Sequence, residues 1–94
     1  MPSWRGRFDW DNDNLTHAAR HGVTPDVVQQ VAVNEPKLFA NSGKGRSGSH
    51  LMVGPDDTGR FWSVVLLELT SELWRPITGW PSTNNEIRRY EGRE

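Results

Sequence analysis

The sequence contains no cysteine, which excludes disulfides, thiol catalysis and zinc sites built on cysteine. It has no apolar run near the ~18 residues that a membrane span needs. It shows no basic n-region followed by an apolar h-region, so it reads as a cytoplasmic chain without a signal peptide or membrane partner. Apolar residues are scarce, at 34% of 94 residues, and 24% are charged. An excess of one charge is missing too. Eleven Lys and Arg face twelve Asp and Glu, for a formal net charge of −1. The molecule as a whole is therefore not a basic nucleic-acid binder, and phosphate affinity has to come from a local patch. Residues 37–50 supply one, with Lys37, Lys44, Arg46 and His50 and no acid.

What is present is tryptophan. Five Trp residues can each bury about 150–250 Å² and so offset the thin apolar supply. The length suits one domain over residues 1–94, because a second would be too small to hold a core. No internal repeat and no Gly/Ser linker divides the chain.

Local signals predict the element order β-α-α-β-β-β-β-α. Residues 6–10 read as a short strand. Asp11 caps a helix running to about His21, with Leu15, Ala18 and Ala19 as its apolar stripe and Gly22 as its stop. Thr24-Pro25-Asp26 restarts a helix: Thr24 caps it, and Pro25 sits where a missing N–H costs nothing. Val27, Val28, Val31 and Ala32 form its buried face, and Pro36 excludes its continuation. Residues 37–40 read as a strand and 41–48 as a loop rich in Gly and Ser. His50 to Gly54 is a strand, Pro55 to Gly59 a hairpin turn, and Arg60 to Leu69 the central strand, apolar on both faces. Leu73 to Thr78 is a further strand, where Pro76 predicts an edge or a bulge. Thr83 and Glu86 make a capping box for a last helix that turns Ile87 and Tyr90 inward and ends at Gly92. The expected fold is α+β: a small antiparallel sheet packed by two N-terminal helices and one C-terminal helix.

Read in order, the segments Trp10-Asp11, His17-x-x-x-His21-Gly22-Val23-Thr24-Pro25, Leu51-Met52-Val53-Gly54, Gly59-Arg60, Trp74-Arg75-Pro76-Ile77-Thr78 and Glu86-x-x-x-Tyr90 form a set. The chain resembles the BrnT-like toxins of bacterial type II toxin–antitoxin systems, within the wider RelE/ParE-type toxin fold. The resemblance implies a RelE-like architecture and an endoribonuclease that needs no metal or other cofactor. It implies RNA as substrate, attacked by its own 2′-hydroxyl. It implies a cognate antitoxin, a small DNA-binding protein, that silences the toxin in a hetero-oligomer. Many members carry arginine where Pro55 and Trp80 stand here, which leaves Arg46, Arg60 and Arg75 as the candidate charge donors. A non-catalytic member of the fold that binds a protein partner is the alternative.

Each candidate residue has more than one reading. Arg75 stabilises charge on a phosphoryl oxygen, or pairs with Glu68 or Glu72 across the hairpin, a contact worth only about 0–1 kcal/mol at the surface. Arg60 is a second catalytic cation or a solvated hairpin end. His17 and His21 share a helix face at i and i+4, as a catalytic pair, a metal pair lacking a convincing third ligand, or a packing pair. Lys44, Arg46 and His50 wrap an RNA backbone or belong to a polar loop. Trp80 stacks on a base or packs beneath the last helix. Arg89, with Arg88, contacts RNA or forms a solvated face. Glu86 has a capping role and is not assigned as a base.

Overall fold

The computed structural model describes residues 6–20, 22–40 and 49–92. Among them the chain forms β1 (Arg7–Phe8), α1 (Asn12–Ala19), α2 (Pro25–Val33), β2 (Lys37–Ala40), β3 (His50–Pro55), β4 (Phe61–Thr70), β5 (Leu73–Pro81) and α3 (Asn84–Glu91). The expected α+β order is observed. No helix of the described residues is long and apolar enough to cross a membrane.

Local chemistry sets the helix ends. Asp11 and Asn14 form a reciprocal capping box at the start of α1. At its end the Val23 N–H reaches the Ala18 carbonyl and the Gly22 N–H reaches that of Ala19. This is the Schellman pattern, and Gly22 takes the positive φ of 82° that it requires. Thr24 Oγ1 accepts from the Val27 N–H at 3.3 Å and caps α2, with Pro25 in its first turn. The side-chain amide of Asn34, the C-cap of α2, donates to the Pro55 carbonyl at 3.1 Å and to Asp57 Oδ1 at 3.0 Å, tying this helix to the β3–β4 turn.

The strands form one sheet in the order β1-β5-β4-β3-β2. The sheet is mixed, which corrects the expectation of a wholly antiparallel one. β1 runs parallel to β5, while the other pairs are antiparallel. β1 and β5 are separated by most of the chain, so no tight turn joins them and forces them antiparallel. β1 pairs only with Leu73 and Trp74, so among the described residues no strand flanks the outer side of β5 at Pro76. The proline lies beside a bulge, where Val65 faces Thr78 and Leu66 faces Pro76, leaving Ile77 as the extra residue.

β4 is central, and its residues Trp62, Ser63, Val64, Val65 and Leu66 are all buried. On one face Met52, Trp62, Val64, Leu66 and Trp74 pack with Ala18, Val23, Val28, Val31 and Ala32 of the α1–α2 layer. On the other Leu51, Val53 and Val65 pack with Phe39, Ile77, Trp80 and Tyr90. The apolar stripe of α1 is narrower than expected. Ala18 is buried, but Ala19 is exposed and Leu15 half-buried.

The buried position in the first turn of α1 belongs to Asn14, 5% exposed. Its amide nitrogen donates to the Asp9 and Pro76 carbonyls, both at 2.9 Å, and its Oδ1 accepts the Asp11 N–H at 2.7 Å. One side chain thus joins α1 to β5. Asn14→Ala orphans these groups and should cost about 1–3 kcal/mol. The exposed Asn12→Ala should cost less than about 0.5 kcal/mol. Urea unfolding of both variants checks this, and equal midpoints would remove Asn14 from the joint.

Candidate functional site

The joint between α1 and β5 holds the principal candidate. Arg75 extends from β5 to two carboxylates that precede α1. Its Nη1 donates to Asp9 Oδ2 at 2.9 Å, and its Nη2 donates to Asp11 Oδ2, 64 residues away in sequence. The bond to Asp11, reinforced by that to Asp9, raises the guanidinium pKa above its ordinary value, so the cation persists. The Asp11 carboxyl is held below its ordinary value, first by the Asn14 N–H and then by Arg75. The expected pairing of Arg75 with Glu68 or Glu72 is corrected. Arg75 lies opposite Leu67, while Glu68 lies opposite Trp74 and so points to the other face of the sheet. Glu72 lends its backbone carbonyl to the Arg7 N–H at 2.8 Å.

Beside this joint, Asp13, Asn14, His17, Arg75 and Ile77 line a surface cleft of about 250 Å³. It brings together two of the four candidate catalytic residues, His17 and Arg75. His17 is exposed, in the last turn of α1. Arg60 is not part of this cleft. It stands at the other end of β4, roughly 20 Å away at about 3.3 Å per residue, where its guanidinium stacks 4.7 Å from the Trp62 ring. His21, Lys44 and Arg46 lie outside the described residues.

The remaining candidates are spread over both faces. The His50 ring meets Trp74 edge-on, centroids 5.1 Å apart, and its Nδ1 lies 3.0 Å from Ser49 Oγ. Trp80 is half-buried beneath α3, and its indole N–H goes to Glu86 at 3.0 Å. It packs against the cluster of Leu51, Val53 and Val65, as its packing reading expects. The Arg89 guanidinium lies 4.2 Å from the Phe39 ring. Among the described residues no three His, Asp or Glu side chains stand together as a metal site needs.

Two features escaped the sequence reading. Glu86 does more than cap α3: its Oε1 accepts the Thr83 N–H, the Trp80 indole N–H and the hydroxyl of fully buried Ser63. Only the capping box was legible, because the other donors come from two strands. Asp56 organises the β3–β4 turn, accepting from the Thr58 N–H and hydroxyl, the Arg60 N–H and the Trp62 indole N–H. The turn itself was legible in Pro55-Asp56-Asp57-Thr58-Gly59; the indole bond was not. Compared with known proteins, the chain matches no family model, no curated protein and no solved structure.

Asp56 yields a pH prediction. The Thr58 hydroxyl and then the Trp62 indole lower its carboxyl to about 2. A depressed folded-state pKa stabilises the fold above the unfolded value of about 4 and loses that contribution as pH falls toward about 2. Asp56→Asn should therefore lower the urea midpoint at neutral pH and flatten its decline between about pH 4 and 2. An unchanged acid slope in the variant would mean that other carboxylates govern this window.

Proposed function

We propose that this chain is the toxin half of a type II toxin–antitoxin pair, an endoribonuclease that acts in the cytoplasm without a metal. The observation that carries this reading is the cleft where His17 and Arg75 stand together. Asp11, His17, Arg75 and Pro76, taken from segments that carry the resemblance to BrnT-like toxins, meet at that joint. A RelE-like fold and a hetero-oligomer with a small DNA-binding antitoxin are part of the same proposal.

The chemistry asks for two groups. The RNA 2′-hydroxyl attacks the adjacent phosphorus, the bond to the 5′-oxygen breaks, that oxygen leaves as a hydroxyl with a proton from water, and a 2′,3′-cyclic phosphate results. His17 takes the proton of the attacking hydroxyl. Arg75 donates to the phosphoryl oxygens as their charge grows. A guanidinium has five N–H donors, so the bonds to Asp9 and Asp11 leave others for phosphate. Asp9, Asp11 and Asp13 make this end acidic, so the RNA backbone needs cations from elsewhere. Lys44, Arg46, His50 and Arg89 are the proposed contacts.

A second reading has its own observation. Arg75 is committed to two carboxylates as a member of the α1–β5 joint, as an arginine with a purely structural role would be. In that reading the chain binds a protein partner and performs no chemistry.

The two readings part in one experiment. The purified chain, with EDTA present, should cleave RNA to 2′,3′-cyclic phosphate ends. His17→Ala and Arg75→Ala should each lower the rate by about 10²-fold or more. Circular dichroism of both variants separates lost chemistry from lost folding. Intact RNA with the wild-type chain, folded and in excess, would refute the nuclease and leave the binding module.

A further inference from the structure

The two edges of the sheet are finished differently. On the β5 side, β1 covers the start of the strand, and Asn14 takes the Pro76 carbonyl. On the opposite side β2 stands last in the order. Among the described residues nothing pairs its outer edge. In an antiparallel ladder, residues alternately turn their N–H and C=O toward the partner strand and away from it. Two of the four residues in Lys37–Ala40 therefore offer both groups outward. Such an edge accepts an added strand through main-chain hydrogen bonds.

The flanks of this edge state what kind of strand fits. Alternation along β2 puts Lys37 and Phe39 on the α3 face and Leu38 and Ala40 on the α1–α2 face. Leu38 is 40% exposed although it lies opposite fully buried Met52. Val33, at the end of the helix layer on that face, is 57% exposed. On the α3 face the Lys37 ammonium lies 5.6 Å from the Tyr90 ring, and the Arg89 guanidinium lies over Phe39. A strand laid beside β2 meets aliphatic surface on one face and two cations on the other.

We propose that the outer edge of β2 receives an extended segment of a protein partner that alternates aliphatic with acidic side chains. The aliphatic side chains pack beside Leu38, and the carboxylates face Lys37 and Arg89. A second copy of this chain fits less well. Antiparallel pairing of two β2 edges about a two-fold axis normal to the sheet puts both copies' Lys37 and Arg89 on one face, where they repel. The inference does not depend on RNA cleavage and holds for either reading of the cleft.

The probes are two synthetic octapeptides, one alternating Val and Glu and the other alternating Val and Lys. Amide hydrogen exchange of the full chain is followed by NMR as each is added. The acidic peptide should slow exchange of the outward β2 amides at least tenfold, and the basic one should not. In a Lys37→Glu, Arg89→Glu double variant, verified as folded by circular dichroism, the preference should reverse. Failure of the acidic peptide to protect β2 at millimolar concentration would overturn the proposal. So would protection of β2 in the free chain together with a dimer in sedimentation, since the edge would then belong to a second copy.

Discussion

Burial of β4 on both faces is the constraint from which the rest of the architecture follows. Five consecutive residues, Trp62 to Leu66, are withdrawn from water, and a strand of that kind needs a layer on each side. With only 34% hydrophobic residues, the chain cannot build two thick layers. It places α1 and α2 over one face, where most of the core lies. The opposite face carries a smaller cluster and α3. That helix has no fully buried residue, so polar contacts have to fix it. Glu86 does so by drawing donors from Ser63, Trp80 and Thr83 onto one carboxylate. Tyr90 adds a hydroxyl bond to the Glu35 carbonyl and an edge-on contact with Phe61. The tryptophans extend this economy, since Trp62 and Trp80 each supply apolar area and also donate to a carboxylate.

The same constraint directs where chemistry can stand. The sheet interior is spent on packing, so the charged candidates gather at its margins. On the β5 margin, α1 is fastened by polar bonds through Asn14, Asp11 and Arg75, and next to the fastening lies a cleft lined by both His17 and Arg75. The ionic pair at this joint is partly exposed, with the Arg75 side chain at 23%. Such a pair contributes little to stability when solvated. Its value is positional: it fixes the Arg75 cation at the cleft that His17 also lines. On the β2 margin, among the described residues, backbone groups and Leu38 stand open instead, flanked by cations.

Local signals carried most of the fold. Thr24-Pro25, Gly22, the turn around Asp56 and the Thr83–Glu86 box each specify their own conformation within a few residues, and all the elements appear where those signals stand. What failed was long-range. A two-residue β1 has too little pattern to state its direction, so its parallel pairing with β5 was invisible. The Arg75 partners were misread because the register places Leu67, not Glu68, across from it, and because Asp9 and Asp11 lie at the far end of the chain. Asn14 interrupted the expected stripe of α1, since a polar residue is buried only when distant partners satisfy it. The candidate site was legible as residue types. His17 and Arg75 do share a cleft, while Arg60, at the opposite end of β4, belongs to another surface.

The central claim is that His17 and Arg75 act together on a phosphodiester. The direct measurement is an NMR titration, in EDTA, with an RNA oligonucleotide made uncleavable by 2′-deoxy substitution. The account predicts that the His17 imidazole and the Arg75 guanidinium resonances shift together and saturate at one affinity, with Asp13 and Ile77 of the same cleft following. Resonances of the cleft that stay fixed, while those around Arg60 and Trp62 move, would contradict it.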